Sequence, residues 1–280
     1  MSHDPYRRFR LYAWFVVGFN LLVVAWGAFV RATGSGAGCG SHWPLCNGEV
    51  MPRPESVETV IELGHRLTSG LDGLLVLALV VWAFRAFARR HPVRRAAILA
   101  FVFLVVEALI GAGLVRFELV AENDSMARGW VIAAHLVNTF LLLAWLTLTA
   151  AWARLGDEAR GWPLAIRWRD PAAWLLGGAI GGVVLLGVSG AIAALGDTLF
   201  PVASFREGLA QDLSPTAHAF VRLRVWHPVI ALAMVVVVGM VAGWLRHHRP
   251  APRVRRWSAV LLSLFAAQIA VGLLNLWLAA

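Results

Sequence analysis

Seven long apolar runs recur along the chain, separated by stretches rich in arginine, glycine and proline. They cover Leu11–Arg31, Glu62–Phe84, Ala96–Val115, Trp130–Trp152, Ala173–Leu195, Ala219–Leu245 and Trp257–Leu278. A helix needs about 20 mostly apolar residues to cross the hydrocarbon layer of a bilayer. The runs are continuously apolar and do not alternate, which favours helices over the strands of a barrel. The predicted fold is all-α, a polytopic membrane helical bundle with seven spans.

The polar positions between the runs orient them. Arg7, Arg8 and Arg10 precede span 1. Arg85, Arg89, Arg90, Arg94 and Arg95 join spans 2 and 3. Arg154, Arg160, Arg167 and Arg169 join spans 4 and 5, and Arg246, Arg249, Arg253, Arg255 and Arg256 join spans 6 and 7. The alternate connections are longer and acidic, with Glu49, Glu55, Glu58, Glu118, Glu122, Asp124, Asp197, Glu207 and Asp212. Excess arginine marks the cytoplasmic side. The N-terminus is therefore expected in the cytoplasm, and even-numbered spans enter from outside.

Composition adds two constraints. Only 15% of the 280 residues are charged and 59% are hydrophobic, against about 25% charged in soluble domains. The formal charge is +9 and every basic residue is arginine. Membrane sidedness accounts for that bias, and nucleic acid is not an expected partner. The short start MSHDPYRRFR leads straight into span 1 with no Arg/Ser-rich transit extension, so a bacterial inner membrane is expected.

Two cysteines, Cys39 and Cys46, share the first outer loop, GSGAGCGSHWPLCNGEVMP. Their oxidising-side location allows a disulfide. Two independent thiols, or a metal pair completed by His42, are the other readings.

Of nine histidines, His3, His91, His247 and His248 fall in arginine-rich segments and are expected to be solvated. His42 lies in the cysteine loop and His218 ahead of span 6. His65, His135 and His227 each lie near the beginning of an even-numbered span, at similar depth near the outer face. Ionisable residues inside spans are costly and usually mark function. Three at matched depth point to metal or haem ligation. The surroundings do not suit zinc or a carboxylate-bridged pair, because only Glu62 lies close to a histidine in sequence. Imidazoles facing each other across an apolar bundle suit haem iron.

The chain also resembles itself. GAFVRATGSGAG at the end of span 1 echoes GVSGAIAALGD at the end of span 5. IELGHRL opens span 2, and LRVWHPV opens span 6. IGAGLVR of span 3 echoes QIAVGLLNL of span 7. The order predicts two similar four-helix halves, residues 1–155 and 156–280, in parallel repeat. His65 and His135 are 70 residues apart, and the same spacing from His227 lands near about position 297, beyond Ala280. An eighth helix bearing a fourth histidine is thus expected and missing from this sequence.

These residues resemble the haem A synthase family over nearly the whole chain. The match is most specific in GAFVRATGSGAGC, in the spacing of Cys39 and Cys46, and in ELGHR with Glu62 and His65. His135 in AAHLVN and His227 in RLRVWHP complete it. The resemblance implies an eight-helix fold of two similar halves that oxidises a methyl group of haem O to the formyl group of haem A. It implies that His65 and His135 hold the substrate haem, and that His227 holds a haem b cofactor with a histidine of the absent helix. His218, nine residues before His227, is a poor stand-in. The expected partners are the haem O synthase that supplies the substrate, an electron donor and the bilayer, with self-association left open.

The chemistry implied is two successive hydroxylations of the methyl group and loss of water from the gem-diol. Glu62, three residues before His65, shares its helix face. It is a candidate catalytic carboxylate for proton movement or charge stabilisation, or else an interfacial acid paired with Arg66 or Arg31. Arg66 and Arg224 are candidate contacts for the haem propionates. Asp72 and Glu107 lie deeper and either pair with each other or serve as proton sites. A di-haem electron-transfer protein and a repeat-built transporter are the competing readings.

Overall fold

The computed structural model describes residues 5–53, 56–156, 159 and 169–278. His3, Glu55, Arg160 and Arg167 lie outside the described residues. Contacts gather the chain into two units, Met1–Leu164 and Ala165–Ala280.

The first unit is built from α1 (Arg7–Ala32), α2 (Val57–Ala86), α3 (Pro92–Arg116) and α4 (Met126–Leu155). Local chemistry sets the starts. The Ser56 hydroxyl accepts the Thr59 N–H at 3.3 Å and the Ser125 hydroxyl accepts the Arg128 N–H at 3.3 Å, while Pro92 occupies the first turn of α3, where no amide donor is needed. The helices pack in a ring, α1 on α2, α2 on α3, α3 on α4 and α4 on α1. Hence α2 and α4, which carry His65 and His135, stand on a diagonal and face each other across the bundle.

The buried apolar cluster occupies one end of this ring. It takes Phe9, Ala13, Val16 and Val17 from α1, Val76, Leu79 and Ala83 from α2, Val93, Ala96, Ala97 and Ala100 from α3, and Leu142, Leu146 and Ala150 from α4. Alanines at this level let the helix backbones approach, and dispersion then holds them, since lipid offers no hydrophobic drive for helix association. The histidines lie towards the other end. Large apolar side chains such as Leu11, Phe15, Leu22, Leu74 and Leu109 point outward, as a lipid-facing surface requires.

His91 departs from expectation. It is 1% exposed, because the short link between α2 and α3 is pinned to the end of α4. Its Nε2–H donates to the Gly156 carbonyl at 2.8 Å, its Nδ1 accepts the Val93 N–H at 3.3 Å, and its ring packs on Phe87. A capping histidine with both nitrogens engaged does not need solvent.

The second unit holds α5 (Pro171–Leu199), α6 (Phe205–Asp212), α7 (Ala219–Arg224), α8 (Trp226–His248) and α9 (Pro252–Leu278). The sixth expected span is two helices, broken at Val225. Pro228 explains the break: it has no amide hydrogen and its ring crowds the carbonyl four residues back, at Arg224. The short α6, capped by Ser204, lies in a connection with no apolar periodicity and was not foreseen. Among the described residues seven helical segments are long and apolar enough to cross a membrane, with α7 and α8 counted as one. The protein is a multi-pass membrane protein.

Candidate functional site

His65 is the ninth residue of α2 and His135 the tenth of α4, so they sit about 12 and 13.5 Å along their helices at 1.5 Å per residue. Both rings are half-buried. A glycine on a neighbouring helix makes room for each. A Cβ on Gly27 of α1 would lie 3.0 Å from His65 Cε1, and one on Gly111 of α3 would lie 4.0 Å from His135 Cε1. The Nδ1 atoms of His65 and His135 are buried without a hydrogen bond. Glu107 Oε1 comes within 3.2 Å of His135 Nδ1, close but off the line that a hydrogen bond prefers.

The outer loop is bound to α2 just above His65. Cys39 and Cys46 form a disulfide, with Cα atoms 4.4 Å apart. Gly38 packs directly on the start of α2, where a Cβ would fall 2.4 Å from the Glu58 carbonyl carbon; only glycine fits there. Its carbonyl accepts the Thr59 hydroxyl at 2.7 Å. Glu62, buried, receives the Cys39 N–H on Oε2 at 2.8 Å and is paired through Oε1 with Arg66. Arg66 Nη1 in turn donates to the carbonyls of His42 and Leu45 at 2.6 Å each. The carboxylate and the guanidinium thus form one bracket between the helix and the disulfide loop.

The second unit repeats part of this plan with different chemistry. His227 is eight residues into the α7–α8 segment, as His65 is into α2. A Cβ on Gly190 of α5 would lie 2.9 Å from His227 Cε1, and one on Gly196 would lie 3.1 Å from the Phe220 carbonyl oxygen. Phe220 stands seven residues before His227, as Glu58 stands seven before His65. Ser189 donates its hydroxyl to the Leu186 carbonyl at 2.8 Å and lies 3.1 Å from His227 Nδ1. With its one hydrogen used, the serine accepts from Nδ1–H, and Nε2 keeps its lone pair. Three residues before His227, where Glu62 would correspond, stands Arg224. It is 8% exposed and binds Asp212, Asp197 at 2.9 Å and Gln211 at 2.7 Å. An arginine bracket holds this loop where the first unit uses a carboxylate and a disulfide. His218 caps α7 by accepting the Phe220 N–H at 3.3 Å and stacks on Phe200, so its Nδ1 is engaged.

A family model described as cytochrome oxidase assembly protein matches residues 10–280. The chain belongs to this family. Similar relatives include a haem A synthase of an Exiguobacterium species, 44% identical over 113 residues, 40% of this chain and 38% of the relative. A haem A synthase of Bacillus cereus is 52% identical over 95 residues, 34% of this chain and 30% of the relative. A protohaem IX farnesyltransferase of Thermus thermophilus is 48% identical over 280 residues, 100% of this chain and 45% of the relative. The chain spans less than half the length of the curated relatives it matches.

The family's link to haem A synthases makes haem the group to test against these residues, and they fit it. Among the described residues no three metal-ligating side chains converge, but a haem brings four equatorial nitrogens and asks the protein only for axial donors. Imidazoles cradled against glycine, and the end of the first bundle that lies beyond the packed apolar cluster, meet that need.

The observed contacts separate Asp72 from Glu107 and engage both arginines. Asp72 and Glu107 do not pair. Asp72 receives the Asn20 amide at 2.6 Å, whereas Glu107 receives the Asn138 amide at 2.5 Å and the Thr139 hydroxyl, on the next turn of α4 after His135. Arg66 and Arg224, considered for propionates, have most of their donors engaged as described. The grip of Glu107 on the helix behind His135 is a contact that sequence reasoning missed; its signal was the triplet Asn138, Thr139 and Glu107, polar residues inside spans.

Proposed function

We propose that this chain carries haem A synthase activity, oxidising a methyl group of haem O to the formyl group of haem A. The observation that carries this reading is the contrast between the units. One places a buried carboxylate, Glu62, one turn from His65 and faces it with His135 across the bundle. The other places Arg224 at the corresponding position. Among the described residues only the first unit offers an acid beside its imidazoles, so the first unit is the site of chemistry and the second is an electron-carrying site.

In this reading His65 and His135 hold the substrate haem, and His227 holds a haem b. Haem b supplies one-electron transfer when bound. Conversion of the methyl to the formyl group removes four electrons and four protons when the oxygen is counted as water, so an electron path and a proton acceptor are both required. Glu62 can accept a proton at Oε2, which carries a single hydrogen bond, and can stabilise positive charge developing on the substrate. Cys39 and Arg66 fix its position, so the carboxylate does not reorganise as charge appears. Ser189 holds His227 with Nε2 presented.

The membrane is the bacterial inner membrane in this reading, with the N-terminus cytoplasmic and the disulfide loop outside, as the arginine asymmetry favours. The substrate comes from a protohaem farnesyltransferase. The Thermus relative of that name includes a stretch matching this whole chain within a polypeptide more than twice as long, which favours close coupling of farnesyl transfer and methyl oxidation.

A pyridine haemochrome spectrum of purified protein, repeated for His65→Ala, His135→Ala and His227→Ala, tests the assignment. Bound haem is expected, with one population lost in the first two variants and a different one lost in the third. Protein without haem, or one population lost in all three, overturns it.

A further inference from the structure

The three histidines differ in what stands behind the ring. His65 Nδ1 has no hydrogen-bond partner, His227 Nδ1 meets the neutral Ser189 hydroxyl, and His135 Nδ1 faces the carboxylate of Glu107 at 3.2 Å. That carboxylate is held firmly. Asn138 donates one amide hydrogen to Glu107 Oε2 at 2.5 Å and the other to the Phe103 carbonyl at 2.8 Å, tying α4 to two points on α3. The Thr139 hydroxyl rests against Glu107 Oε1. Asn138 and Thr139 are both 6% exposed, and they follow His135 by three and four residues, so all three share a helix face. Glu107 and Gly111 are likewise one turn apart on α3, and both address the same imidazole.

A carboxylate behind a ligating histidine accepts a hydrogen bond from Nδ1–H, which leaves Nε2 as the donor to the metal and raises the ring's basicity. A small rotation of the ring brings Nδ1 onto the line of Glu107 Oε1, because the distance is already that of a hydrogen bond. We infer that Glu107 is a positioning residue for the substrate haem: it orients and polarises His135, making His135 the firm axial ligand and His65, with nothing behind it, the yielding one. This rests on the assignment of His65 and His135 to one haem. The consequence for the reaction is directional. His135 on α4 would hold a bound haem more firmly than His65 on α2, the side where Glu62 stands.

The test is potentiometry and electron paramagnetic resonance of the purified haem-loaded protein, comparing the parent with Glu107→Gln, Glu107→Asp and His135→Ala. Glutamine keeps the size of the side chain and an oxygen to accept the Asn138 amide, and removes the charge. Loss of such an outer partner typically weakens the hold on a metal about 10- to 100-fold. A tenfold loss felt by the ferric state alone raises the midpoint potential by about 59 mV for one electron. The expected result is a rise of this size in one haem component, with a shifted low-spin signal, part restoration in Glu107→Asp, and no change in the component that depends on His227. A Glu107→Gln protein with parental potential and signal overturns the inference, provided His135→Ala removes that component. If His135→Ala leaves every haem signal intact, the assignment of the haem falls, and this inference with it.

Discussion

The backbone N–H of Cys39 donates to Glu62 Oε2 at 2.8 Å, so the disulfide loop and the candidate catalytic carboxylate hold each other in place. Glu62 is bound on its other oxygen by Arg66, which also grips the loop at His42 and Leu45. The acid is therefore positioned by a loop that has its own covalent clasp.

That coupling makes the disulfide a determinant of the site. Cys39→Ser opens a short covalent ring, which by loop-closure entropy costs about 2 to 3 kcal/mol of loop stability. Limited proteolysis should cut the outer loop faster in the variant, and haem A yield should fall while the haem signal tied to His227 stays. Unchanged cutting and yield would show that the hydrogen bonds alone hold the loop.

Glu62 has a structural and a chemical role that substitution can separate. Glu62→Gln keeps an oxygen to accept the Cys39 N–H and loses the charge that pairs with Arg66. Glu62→Ala loses both. Thermal melting should drop more in alanine than in glutamine, whereas haem A formation should fall about 100-fold or more in each, the scale of a lost proton-transfer group. Glutamine with near-parental haem A formation would confine Glu62 to holding the loop.

Gly27 and Gly190 should act each in its own unit. An added methyl would sit 3.0 Å from the His65 ring and 2.9 Å from the His227 ring, closer than side-chain carbons pack, at a cost of about 1 to 3 kcal/mol. Gly27→Ala should reduce the haem component shared by His65 and His135, and Gly190→Ala the component that depends on His227. Haem content resolved by electron paramagnetic resonance checks this, and a loss of both components in either variant would contradict it.

The sequence made the spans visible because their apolar runs are local, and the depth of His65, His135 and His227 followed from counting residues along them. What stayed hidden is contact between residues far apart in the chain. Nothing near Glu62 names Cys39 as its donor, and nothing near Asp72 names Asn20. Arg66 is readable from sequence as a partner of Glu62, but only three-dimensional packing brings loop carbonyls to it and two aspartates to Arg224. The break at Val225 was readable, since Pro228 follows His227 directly, but a long apolar run masks a missing hydrogen bond. His91 shows the converse error: an arginine-rich neighbourhood suggested solvent, and a cap at a tight connection buried it.

Conversion of haem O to haem A in the first unit is read from its product. Its most direct measurement is mass analysis of haem extracted from membranes in which this chain is produced with a haem O synthase under aerobic, reducing conditions. The expected product is the formyl-bearing haem A, abolished by His65→Ala or His135→Ala. Recovery of haem O and haem b alone, from membranes where the chain is present and loaded with haem, would contradict it and leave an electron-transfer protein.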